Sequence, residues 1–192
     1  MTKINYAVSA LPAFSGLESC DEATRRARLG GVVRLAENLD SIERAFDAAK
    51  YGRCSDVPWI ELAVPSIADP ALAPAGAHVV SAYVQFAPLT LRDSSWEVDR
   101  TRFADVATAT IESYAPGFGR SVLARQVITP LDLQETYGLT GGHIFQGEIA
   151  LDQLLLGRPT LGWGRHQTPI RGLFLGGAGT PPGAGLDGRA RA

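Results

Sequence analysis

The chain has 192 residues, 45% of them hydrophobic and 20% charged, which suits one globular domain or a domain with an appendage. Its formal net charge of −2 and pI near 5.9 give no electrostatic reason to expect nucleic acid or an anionic membrane as a partner. No apolar run approaches the roughly 18 residues of a membrane helix, and MTKINYAVSALPAF lacks the apolar core of a secretion signal, so the expectation is a cytoplasmic protein without a transmembrane segment.

Cys20 and Cys54 are the only cysteines, and neither has a CxxC neighbour or His/Asp at metal-ligand spacing. They read as free thiols, with a bridge between them left open, and no metal site is expected.

Along the chain, Lys3 to Ala10 alternates, placing Ile4, Tyr6 and Val8 on one side, the period of a half-buried strand. Glu22 to Leu29 is polar and helical in pattern, and its cluster Arg25, Arg26 and Arg28 reads as a solvated face. Gly30-Gly31 breaks into a short strand, Val32 to Ala36. Asp40 with Glu43 three residues on predicts a helix N-terminus, and that helix should bury Ile42, Ala45, Phe46 and Ala49 before stopping at Tyr51-Gly52. Trp59 to Val64 is a further strand, and residues 69–76 carry turn chemistry.

HVVSAYVQFA, His78 to Ala87, is the strongest strand pattern. Neither of its faces is strongly polar, which predicts a central strand covered on both sides. A helix is expected from Asp99 to Tyr114, with Phe103, Val106, Ala107, Thr110, Ile111 and Tyr114 along one stripe, ended by Pro116-Gly117. Val122 to Ile128 is another strand, and Pro130 opens a short helix, where Asp132 and Glu135 are ordinary helix charges. These strands could form one sheet whose order the sequence does not reveal.

From Gly138 onward the chain becomes glycine-rich. Ile170 to Leu175 (IRGLFL) reads as a short apolar strand running into GGAGTPPGAGLDG, where small residues let a backbone approach a ligand. Gly183 to Gly188 matches G-x-G-x-x-G. It is not a dinucleotide fingerprint, since that motif needs a strand directly before it and a helix directly after.

The run TPIRGLFLGGAGTPPGAGLDG (168–188) resembles the C-terminal flavin-binding segment of the phytoene dehydrogenase-like FAD-dependent oxidoreductases. That group includes the pyridine nucleotide-disulfide oxidoreductase domain-containing proteins of type two. ITPLDLQETYGLTGGHIFQGEIALDQLL (128–155), AFDAAKYGRCSDVPWIELAVPSIADPALAPAG (45–76) and the opening KINYAVSALPAF match as well, so the resemblance covers nearly the whole chain.

The resemblance implies an α+β fold: a mixed, largely antiparallel sheet with flanking helices, which holds substrate, plus a C-terminal strand and Gly-rich flavin-contacting tail. The implied organisation is a partial substrate-binding domain over 1–137 and a flavin-contacting segment over 138–192. It implies that Gly177, Ala178, Gly179 and Thr180 turn past the FAD phosphates and ribityl chain. Pro182, Gly183, Gly185 and Leu186 would pass beside the isoalloxazine ring, with the loop Thr140-Gly141-Gly142-His143 near it. The implied activity is hydride transfer between an apolar small-molecule substrate and FAD. The family's N-terminal βαβ unit has no counterpart in this sequence, so a separate N-terminal FAD-binding polypeptide is an expected partner. A redox-neutral flavin-dependent isomerase and a non-catalytic binding or assembly fragment are the alternatives.

No catalytic constellation stands out. His143 with Glu148 could move a proton, although a hydrogen-bonded structural histidine is the blander reading. His78 and His166 read as structural, and Ser9, Ser66 and Ser121 lack a nucleophile-elbow context. Tyr83, Phe86, Trp96 and Phe103 could line an apolar pocket or simply fill the core.

Overall fold

A computed structural model of the chain describes residues 1–145, 150–151 and 157–180. The chain divides into two compact units, Met1–Leu131 and Asp132–Ala192.

The first unit is an α+β fold. Its elements in order are β1 (Thr2–Val8), α1 (Glu22–Leu29), β2 (Val32–Leu35), α2 (Leu39–Lys50), β3 (Trp59–Ala63), α3 (Pro65–Ala68), β4 (His78–Gln85), α4 (Trp96–Tyr114), α5 (Phe118–Ser121) and β5 (Val122–Ile128), followed by α6 (Pro130–Tyr137). The strands form one sheet in the order β2-β3-β4-β1-β5, and every pairing is antiparallel. His78–Gln85 is the middle strand, as its apolar pattern requires.

Register explains which side chains meet. Ile4 lies opposite Ala82 and Val127, while Val84 lies opposite Ile60. Because alternate residues share a face, Ile4, Tyr6 and Val8 join Val80, Ala82, Val84, Ile60 and Leu62 on one side, all nearly fully buried. Phe103, Ala104, Ala107 and Ile111 of α4 belong to the same core cluster. Tyr6 anchors it: its ring meets Phe118 edge-on at 5.2 Å, and its hydroxyl bonds Thr108 Oγ1 at 3.1 Å. Burial pushes the Tyr6 phenol above its ordinary pKa.

The opposite face is half exposed rather than covered, which corrects the expectation for His78–Gln85. In register, Tyr83 of β4 sits between Lys3 and Glu61, and Ser81 sits beside Asn5. Lys3 Nζ stacks 3.9 Å from the Tyr83 ring centroid, Arg34 Nε donates to Glu61 Oε1 at 2.7 Å, and Asn5 Nδ2 donates to Gln126 Oε1 at 3.1 Å. Charged heads need solvent, so the neighbouring strands keep this face open.

Three further expectations change. The α2 N-cap is Asn38, not Asp40. Asn38 Oδ1 accepts from Ser41 N at 2.9 Å while Asn38 N donates to Ser41 Oγ at 3.2 Å, a reciprocal capping box that starts the helix two residues early. Of the predicted α2 stripe only Ala45 is fully buried, and Phe46 is 51% exposed. Helix α4 starts at Trp96, whose indole N–H donates to the Pro88 and Leu89 carbonyls. It ends where Pro116-Gly117 was expected to end it. Gly117 takes φ 89°, and the amides of Gly117 and Gly119 both donate to the Glu112 carboxylate at 2.7 Å, holding that carboxyl below its ordinary pKa.

Candidate functional site

The glycine turn of the second unit is organised by two side chains. Gly177 has φ 99°, a left-handed conformation that glycine adopts without steric cost. A Cβ there would meet nothing within 4 Å, so conformation, not crowding, requires the glycine. Thr180 is buried. Its amide and its Oγ1 both donate to the Gly177 carbonyl, at 3.1 and 2.8 Å, which closes the turn over Ala178 and Gly179.

The second side chain is Arg158, which the sequence reading missed. It is 3% exposed, and its Nη1 donates to the Ala178 carbonyl at 3.2 Å. A buried guanidinium must be hydrogen-bonded to be tolerated, so this contact ties residue 158 to a turn twenty positions later. Its only sequence signal was an arginine directly before Pro159, too common a pair to single out.

The segment leading into this turn is not the strand expected over 170–175. Leu173 N donates to the Ile170 carbonyl at 3.1 Å, and Gly172 takes φ 82°, the third position of a type II turn. The chain therefore reverses inside IRGL. Thr168 N donates to the Leu173 carbonyl and Leu175 N to the His166 carbonyl, leaving one bridge, Gln167 to Phe174. Ile170 and Phe174 are 64% and 52% exposed, an apolar surface directly preceding the glycine turn.

Pro182, Gly183, Gly185, Leu186 and the G-x-G-x-x-G match lie outside the described residues, as does Glu148. His143 is exposed. Its Nδ1 accepts from the Phe145 amide at 3.2 Å, and its ring sits 5.6 Å from that of Phe145. Partial desolvation holds the imidazole below its ordinary pKa. This local bond is what a structural histidine makes. Thr140–Gly142 forms a tight turn with Gly141 at φ 71°, in which Gly141 N donates to Gln134 Oε1 at 3.0 Å and Gly142 N to the Leu139 carbonyl at 2.8 Å.

The four suspected pocket aromatics separate into two pairs. Trp96 and Phe103 are core residues, 2% and 0% exposed. Tyr83 stands on the half-open sheet face, and Phe86 follows β4 in ring contact with Phe46 at 5.3 Å and Trp59 at 6.1 Å. Phe46, which was expected to be buried by its helix, is thus a surface-side aromatic, while Trp59 opens β3 as expected.

Among the described residues no group of His, Cys, Asp or Glu could hold a metal ion, and no helix is long and apolar enough to cross a membrane. Small residues and open space over Gly177 would let the backbone come close to a phosphate or ribityl oxygen.

No family model matches the chain. The chain is 42% identical over 193 residues to pyridine nucleotide-disulfide oxidoreductase domain-containing protein 2 of Rattus norvegicus, covering 99% of this chain and 33% of that protein. It is 33% identical over 131 residues to the phytoene desaturase (lycopene-forming) of Pantoea ananas, which covers 66% of this chain and 25% of that one. Over 191 residues it is 29% identical to the 4,4'-diapophytoene desaturase (4,4'-diaponeurosporene-forming) of Staphylococcus aureus strain MRSA252, covering 95% of this chain and 36% of that one. The chain therefore spans about a third of the length of the first curated relatives it matches.

Proposed function

We propose, from the premise that the chain belongs to the family of pyridine nucleotide-disulfide oxidoreductase domain-containing protein 2 and the phytoene desaturases, that it supplies the substrate-binding sheet and a flavin-contacting turn of an FAD-dependent oxidoreductase. The observation that carries this reading is 42% identity sustained over 99% of the chain. When bound, FAD supplies the two-electron chemistry, and the protein supplies binding and orientation.

Within the chain, Gly177 to Thr180 would hold the cofactor through backbone groups, with Arg158 keeping the turn in shape. Pro182, Gly183, Gly185 and Leu186 would continue that contact. Beside the polar part of the sheet face that Lys3, Asn5 and Glu61 keep wet, the cluster of Phe46, Trp59 and Phe86 would offer an apolar substrate large area at little entropic cost. A hydride would pass between a substrate carbon and the flavin, and in the oxidising direction the accompanying proton would leave the substrate to solvent. No side chain is assigned as an acid or base.

The adenine end of the cofactor would be held by a dinucleotide-binding region of the kind that begins with a G-x-G-x-x-G strand-turn-helix. The test is to purify the chain alone and together with a polypeptide carrying such a region, then read flavin absorbance near about 450 nm. A yellow complex in the second case supports the proposal. A colourless product in both cases, with the two polypeptides shown to associate, overturns it.

A further inference from the structure

Away from the glycine turn, the first unit carries a cavity of about 470 Å3, within the roughly 300–1,000 Å3 of small-molecule sites. Its apolar walls come from three separate segments: Phe14 and Leu17 after β1, Val32 and Val33 of β2, and Tyr114 at the end of α4. Phe14 is already buried, whereas Val32 is 57% exposed, so the cavity runs from the core edge out to solvent.

One charged side chain lines it. Arg28 sits in the last turn of α1 and is exposed, and no ion pair among the described residues involves it. No carboxylate lines the cavity. Arg25 and Arg26 lie on the same helix, with Asp21 and Glu22 at its N-terminal end; Arg25 also donates to the Cys20 carbonyl. An apolar cavity with a single unpaired guanidinium at its wall is complementary to a molecule with an apolar body and one anionic head, because arginine pairs carboxylates through two parallel N–H groups.

We propose that this cavity binds a small amphipathic monocarboxylate, a medium-chain fatty acid in chemical type, with its chain between Phe14, Leu17, Val33 and Tyr114 and its carboxylate on Arg28. The site is independent of the flavin reading, since every lining residue lies in Met1–Leu131.

Two variants address it separately. Arg28→Glu reverses the charge at an exposed position. Gly16→Phe fills the cavity: Gly16 lines it, lies outside the left-handed region, and a Cβ there would meet nothing within 4 Å. Decanoate and 1-decanol are titrated calorimetrically into the full chain and into both variants, with circular dichroism confirming the fold.

Decanoate is expected to bind the parent chain at least about tenfold more tightly than decanol, a factor worth about 1.4 kcal/mol. Arg28→Glu should remove that preference and Gly16→Phe should abolish binding of both. Equal binding of the two compounds, decanoate binding unchanged by either folded variant, or no binding at all would overturn the proposal. So would concentration-dependent dimerisation that Gly16→Phe abolishes, since a second copy would then be the occupant.

Discussion

The Arg158 guanidinium donates to the carbonyl of Ala178, at 3.2 Å, from a side chain that is almost fully buried. Removing it leaves the half-buried Ala178 carbonyl without that partner, a loss of about 1 kcal/mol. Arg158→Ala should therefore speed hydrogen exchange at the amides of residues 177–180 while leaving the sheet amides of Ile4 and Val84 unchanged. Arg158→Lys should rescue little, because an ammonium does not reproduce the planar donor fork. Unchanged exchange in Arg158→Ala would show that the turn holds itself.

Helix α2 offers a direct comparison of two caps. Asn38 makes the reciprocal bonds with Ser41, whereas Asp40 lies within the first turn. Asn38→Ala should cost about 1 kcal/mol in urea unfolding, and Asp40→Ala should stay within about 0.5 kcal/mol. Equal losses would mean that the cap is shared.

Burial pushes the Cys54 thiol from its ordinary 9.0 up to about 12, against an opposing pull from Arg102. A thiol whose folded pKa is raised favours the folded state fully below the unfolded value, and that contribution is lost as pH rises through the folded one. Stability should therefore hold below pH 9 and decline from 9 toward 12, and Cys54→Ala should flatten that decline. In the native protein at neutral pH the half-buried Cys20 should react with a thiol reagent before the buried Cys54 does. Equal rates would contradict the burial.

Thr2 Oγ1 is buried and has no hydrogen-bond partner among the described residues. Thr2→Val keeps the shape and the strand preference while removing the stranded hydroxyl. The melting temperature should stay level or rise. A clear fall would mean that the hydroxyl is bonded after all.

Much of the sheet was legible because period-two alternation in Lys3–Ala10, Trp59–Val64 and His78–Ala87 encodes strands directly. The open face of β4 was not, because its own residues Val79, Ser81, Tyr83 and Gln85 are not strongly polar; the polarity that keeps it wet comes from Lys3, Asn5 and Glu61 on neighbouring strands. IRGLFL looked like a strand because four of its six residues are apolar, yet Gly172 at positive φ turns the chain back within it. The glycine turn at 177–180 was readable from small residues and resemblance. Its clasp to Arg158 depends on a contact twenty residues apart, which no local pattern carries.

The most direct measurement is hydrogen exchange of the turn Gly177–Thr180 with and without FAD, in the chain combined with a dinucleotide-binding polypeptide. The proposed contact predicts that FAD slows exchange of the Ala178 and Gly179 amides. Bound flavin that leaves those amides unchanged would contradict it.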